Sequence, residues 1–170
     1  MLCPGCGFDN IPGIDSCEDC GLDLAGLDLP EAHTGFSGRL LTDRIGDLEL
    51  STPAVVDVTA PVSEAIEQMR ELGTGCTLVF DAEELVGIFA ERHVLTRVAQ
   101  PGIDATKTPI SEVMSPDPLR LSPEDPPAFA VHCMVVKGYR HLAVVDGSRL
   151  EGYISVRNIL RYIDREVVRG

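Results

Sequence analysis

From about residue 43 onward, runs of alternating or continuous apolar residues are separated by stretches of helical period, and the order of these stretches repeats. PAVVDV and PLRLS are short strand-like runs. SEAIEQMREL puts Ala65, Ile66, Met69 and Leu72 on one predicted helical face, with Gly73 as its stop. CTLVF and HLAVV are β-rich apolar runs that end in the polar turns DAEE and DGSR. LVGIF and LEGYI follow as second strands, and each leads directly into a helical pattern, ERHVLTRVA or VRNILRYIDREV. Each unit therefore reads β-α-β-β-α.

The two units are an ungapped repeat. A shift of 65 residues places Pro53 on Pro118, Pro61 on Pro126, Ala65 on Ala130, Met69 on Met134 and Gly73 on Gly138. The register continues through Val79 on Val144, Asp81 on Asp146, Gly87 on Gly152 and Leu95 on Leu160. One such unit cannot cover both faces of a small sheet. The expected fold is α/β with mixed strands, two repeats packed about a pseudo-twofold axis and a small cysteine module ahead of them. The predicted organisation is residues 1–22 for the module, 23–42 for a Gly- and Asp-rich linker with scattered Leu, 43–102 for the first repeat and 108–166 for the second.

Composition narrows the class. Of the 170 residues, 44% are hydrophobic and 24% charged, which fits a globular chain and excludes a disordered tail. No apolar run approaches the roughly 18–20 residues that span a bilayer. Cys3 and Cys6 stand where a secretory signal would need a charged start and an apolar stretch, so a cytoplasmic chain is expected. The net charge of −13 is concentrated at the amino-terminal end, where residues 1–52 carry ten acidic and two basic side chains. Such a surface repels phosphate backbones, and nucleic acid is an unfavourable partner.

CPGCGFDNIPGIDSCEDCG holds two CxxCG pairs. A CxxC turn directs two thiolates at one ion, so Cys3, Cys6, Cys17 and Cys20 form a candidate four-ligand metal site. The glycines that follow, Gly7 and Gly21, suit a knuckle in which a bulky residue would crowd the sulfurs. These residues resemble a zinc ribbon, with zinc ahead of iron and of a pair of disulfides. Four thiolates leave no open coordination position, so the metal is expected to be structural. In so short a segment it supplies folding energy, on the order of 10–16 kcal/mol in small fingers. Cys76 and Cys133 sit in apolar runs and read as small hydrophobes.

The pattern P…V…A…M…G…LAVVDGSRLEGYISVRNIL, doubled at constant period and with a helical lead-in before each copy (LTDRIGDL; TPISEVM), resembles the cystathionine-β-synthase (CBS) domain. Two in tandem resemble a Bateman module. The resemblance implies two clefts between the repeats, ligands such as AMP, ADP, ATP or S-adenosylmethionine, and a homodimer. It also implies that a Gly-x-x-Thr/Ser-x-x-Asp stretch holds the ribose. In the second repeat this stretch is Gly152 to Asn158: Ser155 keeps the hydroxyl, and Asn158 replaces the carboxylate. Tyr139, Arg140 and His141 precede the strand LAVV as candidate ligand-binding residues, Arg140 and His141 at positions where relatives place basic residues against phosphate, and Arg157 stands beside them as a further cation. The bland alternative is a helix cap made by Ser155 and Asn158 with solvated arginines around it. The first repeat has Ala90, Glu91 and His93 at the corresponding places, and its cleft reads as degenerate.

No motif places a nucleophile beside a base, and no phosphate loop is present, so an enzyme is not expected. The leading expectation is a regulatory module that senses an adenosine-containing ligand through its second repeat, with the ribbon docking a partner protein. The alternative is a ligand-free dimerisation scaffold that presents two ribbons.

Overall fold

A computed structural model describes residues 1–11, 14–25 and 35–165 of the chain. Residues 26–34 of the expected linker, and the expected end of the last helix beyond residue 165, lie outside the described residues. The elements in chain order are α1 (Gly35–Thr42), β1 (Ala54–Asp57), α2 (Val62–Leu72), β2 (Cys76–Asp81), β3 (Glu84–Ala90) and α3 (Glu91–His93). α3 continues as a π-helical turn, Val94–Ala99. Then come β4 (Ser115–Pro116), β5 (Arg120–Leu121), α4 (Pro127–Val136), β6 (His141–Asp146), β7 (Arg149–Ser155) and α5 (Val156–Ile163). The helical lead-ins are single 3-10 turns, Ile45–Asp47 and Ile110–Glu112. The strands form one sheet in the order β1-β2-β3-β4 and another in the order β5-β6-β7. A mixed α/β fold containing two β-α-β-β-α units is what the periodicity predicts.

The chain divides into two compact units, one of Met1–Glu49, Leu121–Arg140 and Ile154–Gly170, the other of Leu50–Arg120 and His141–Tyr153. In the second unit, β1 pairs parallel with β2 from Ala54↔Thr77 to Asp57↔Phe80, and β2 pairs antiparallel with β3. On one face Val62, Ala65 and Met69 of α2 pack with Val56, Val79, Phe89, Val98, Ile110 and Val113. On the other, Leu78 and Leu85 pack with Ala143, and Phe80, Ile88, Val145 and Leu150 lie against them. β2 is covered on both faces, which is why CTLVF is apolar without alternation. In the first unit α4 and α5 pack together, and Ile45, fully buried, donates its N–H to Asp125 O at 2.9 Å.

Two expectations need correction. Leu72 is 57% exposed, because the buried stripe of α2 is centred on Val62, Ala65 and Met69 and Leu72 falls at its margin in the last turn. Gly73 does end the helix, in the left-handed conformation with φ 61°. PLRLS contributes only the two-residue β5; ahead of it, the unexpected β4 pairs with β3 through Gly87↔Pro116 and Ile88↔Ser115.

Arg97 fixes that segment. Its guanidinium donates to the carbonyls of Val113 at 2.8 Å and Met114 at 2.6 Å, and to Ser115 Oγ at 3.1 Å. Truncation leaves these acceptors without their donor, so Arg97→Ala is expected to lower stability by about 1–3 kcal/mol in urea unfolding, and Arg97→Lys to recover part of it.

Candidate functional site

The amino-terminal segment is built from two copies of one turn. Cys3 N bonds Phe8 O at 2.8 Å and Gly7 N bonds Cys3 O at 2.9 Å; fourteen residues on, Cys17 N bonds Leu22 O at 2.8 Å and Gly21 N bonds Cys17 O at 2.9 Å. Gly7 and Gly21 have φ of 74° and 71°, a region that L side chains rarely adopt. A Cβ at either would meet nothing within 4 Å, so conformation and not crowding explains both glycines. The two turns bring the four sulfurs of Cys3, Cys6, Cys17 and Cys20 within 4.8 Å of one another. The nearest pairs, Cys3–Cys20 and Cys6–Cys17, are 3.6 Å apart. Tetrahedral thiolates at about 2.3 Å from one ion lie roughly 3.8 Å apart, so this cluster could hold a metal.

The sulfurs sit among N–H donors. Gly5 N points at Cys3 Sγ at 3.4 Å. Burial pushes the Cys17 thiol up, but the N–H groups of Cys20 and Asp19 and the Asn10 amide outweigh it and hold it at about 6. Burial pushes Cys6 and Cys20 up, and a divalent cation would favour the thiolate in all four. Sequence reasoning missed Asn10, which is 3% exposed and donates to Phe8 O at 3.0 Å and Cys17 Sγ at 3.5 Å. The fourteen-residue internal spacing would have found it, since it places Asn10 opposite the buried Leu24. His132 of α4 was also missed: its Nε2 donates to Cys20 O at 2.8 Å and ties the second knuckle to the helix.

At the candidate ligand positions the structure brings Ser155 and Asn158 together. β7 runs into α5 with no intervening loop, and Ser155 is the N-cap. Ser155 N–H and Oγ–H both donate to Asn158 Oδ1, at 2.8 and 2.5 Å, and Asn158 Nδ2 donates to Glu49 O at 2.6 Å. Both side chains are buried, and both lone pairs of the Asn158 amide oxygen are committed to this cap. Arg140 and Arg157 are exposed, and Tyr139 is 40% exposed. His141 is half-buried with its ring edge-on to Tyr153 at 5.5 Å. Thr74 and Tyr153 join through their hydroxyls at 2.9 Å.

The first repeat uses the same cap with other residues. Ala90 is the N-cap of α3, and its N–H donates to His93 Nδ1 at 3.2 Å. His93 is 3% exposed. Burial, then Arg97, Arg92 and His141 nearby, lower its pKa to about 4.

A family model for the CBS domain matches residues 45–100 and 110–165. An uncharacterized 33.4 kDa protein in a ribosomal RNA operon of Thermofilum pendens is 32% identical over 117 residues, covering 68% of this chain and 38% of its own length. This chain thus spans little more than a third of that relative. A crystal structure of an uncharacterized conserved protein from Pyrococcus horikoshii superposes with a TM-score of 0.67 at 20% identity, covering 74% of this chain and 96% of the other. The CBS domain protein PAE2072 from Pyrobaculum aerophilum, complexed with AMP, superposes with a TM-score of 0.64 at 24% identity, covering 75% and 99%. Among the described residues no helix is long and apolar enough to cross a membrane.

The buried cap at His93 makes stability depend on pH. The unfolded imidazole takes up its proton near 6.5, the folded one only at about 4. Stability from a neutral His93 is therefore complete above pH 6.5 and is lost as pH falls from there towards 4. In urea unfolding, the wild type is expected to lose more stability over this window than His93→Asn, which keeps an acceptor without the titration.

Proposed function

The chain belongs to the CBS-domain family, and from that membership we propose that it is a non-catalytic regulatory module that binds an adenosine-containing ligand through its second repeat. The observation that carries the reading is the buried Ser155 hydroxyl at the N-terminus of α5, with the exposed Arg157 two residues on. The hydroxyl oxygen, with two lone pairs, can take a hydrogen bond from a ribose hydroxyl, and the helix N-terminus favours an anion. Tyr139 and Arg140, before β6, supply the ring and the cation for base and phosphate. Asn158 acts by holding Ser155 rather than by accepting from the sugar. The AMP named for the Pyrobaculum relative supports a ligand of this class.

The four cysteines take zinc, whose preference for tetrahedral thiolate the sulfur spacing suits, and the ribbon is the element that meets a partner protein. Thiolate ligands of this kind persist in a reducing compartment, which suits a cytoplasmic setting. Leu95 and Leu160, equivalent in the two repeats, are 67% and 58% exposed, which supports a homodimer. A second reading, a scaffold without ligand, is favoured by the cap that occupies Asn158.

Calorimetric titration of the zinc-loaded protein with AMP, ADP, ATP and S-adenosylmethionine in turn separates the two. Saturable binding by one of them is expected, weakened about tenfold in Arg140→Ala, a difference of about 1.4 kcal/mol. Silence from all four, in a folded sample, would leave the scaffold.

A further inference from the structure

The cysteine module is nearly symmetric in its backbone but not in its interior. Met1 O receives Asn10 N at 2.8 Å and Asp15 O receives Leu24 N at 2.8 Å, so Asn10 and Leu24 close the two halves in the same way. Leu24 is 1% exposed and joins Cys3, Cys17 and Leu22 in the small apolar cluster. Asn10 buries an amide at the corresponding place, which is unfavourable unless its polar atoms are bonded. They are: Nδ2 donates to Phe8 O and to Cys17 Sγ, and Oδ1 accepts Glu18 N–H at 3.0 Å. Phe8 belongs to the first knuckle, while Cys17 and Glu18 open the second. One side chain thus joins the loop that carries Cys6 to the ligand that begins the other pair.

We propose that Asn10 is the positioning residue of the metal centre: it sets the second knuckle against the first and orients the Cys17 sulfur, so that metal affinity depends on a side chain that is not a ligand. An N–H directed at a thiolate also draws electron density from the sulfur and weakens its donation to the ion. Asn10 therefore acts on the geometry of the site and on the electronic character of one of its bonds. This inference rests on the reading of the four cysteines as a metal centre.

Two variants of the full-length protein test it. Asn10→Asp keeps size and the acceptor for Glu18 N–H but replaces the donor facing Cys17 with a carboxylate oxygen. Asn10→Leu installs the residue that the other half uses. The wild type is expected to bind one Co²⁺ with a sulfur-to-cobalt charge-transfer band. In competition with a chromophoric chelator, Asn10→Asp is expected to bind Co²⁺ and Zn²⁺ about 10–100-fold more weakly, and Asn10→Leu to be weakened as well. The charge-transfer band of Asn10→Asp should move to lower energy, because the sulfur it faces has become the stronger donor. A purely structural role would lower affinity without moving the band. A wild type that takes up neither ion would overturn the metal reading, and this inference with it. A wild type that binds, with both variants matching it in affinity and band position, would overturn the role of Asn10 alone.

Discussion

The interaction on which both repeats depend is a side chain at the third helical position accepting the N–H of the last strand residue. β3 enters α3, and β7 enters α5, without a loop, so the last strand residue is also the helix N-cap, whose N–H no helical carbonyl accepts. Asn158 answers this for Ser155 and His93 for Ala90. The two acceptors differ in chemistry and share a place in the fold. Asn158 then reaches Glu49 O, so one amide secures both the helix start and the segment that precedes β1. A residue with that much structural duty is poorly available for anything else.

The same economy governs the cysteine module. A segment this short has Cys3, Cys17, Leu22 and Leu24 for a core, and its shape comes from repeated backbone turns and four converging sulfurs. Its contact with α4 through His132 and Cys20 makes it part of the first compact unit. Leu2 and Ile11, 68% and 70% exposed, and the acidic Asp9 and Glu18 stay at its surface.

The fold was largely legible because its signals are periodic. A constant offset of 65 residues, two apolar strand pairs and Gly73 at a helix end all follow from local rules, and the structure has them. What could not be read were interactions made by single side chains across long separations. Arg97 looks like any polar residue of a helical stretch until Val113 and Met114 return beside it. β4 exists because that return lays Ser115 and Pro116 along β3, which a two-residue run cannot announce. Leu72 satisfied the helical period yet fell outside the buried stripe, since period gives direction and not the extent of the covering surface. At the candidate site the residue types were legible, and both readings of Ser155 and Asn158 were in view; only the hydrogen bonds revealed how fully the amide is used.

The shared cap also locates the difference between the repeats. With its geometry held fixed, what changes is the chemistry around it. The first copy sets Ala90 and the carboxylate of Glu91 at the helix start, with an imidazole kept neutral by burial and by Arg97 and Arg92. The second sets a hydroxyl there, followed by Val156 and Arg157, with no acidic residue in the first turn. An anionic ligand approaching the first helix would meet a negative side chain where the dipole would otherwise attract it. At the second it would meet a donor-rich turn and a cation. Duplication of a fold supplies two equivalent positions, and since both keep an arginine, Arg92 and Arg157, the change from Glu91 to Val156 is by itself enough to make them unequal in charge. That inequality is the physical ground on which the proposed ligand is given to the second repeat.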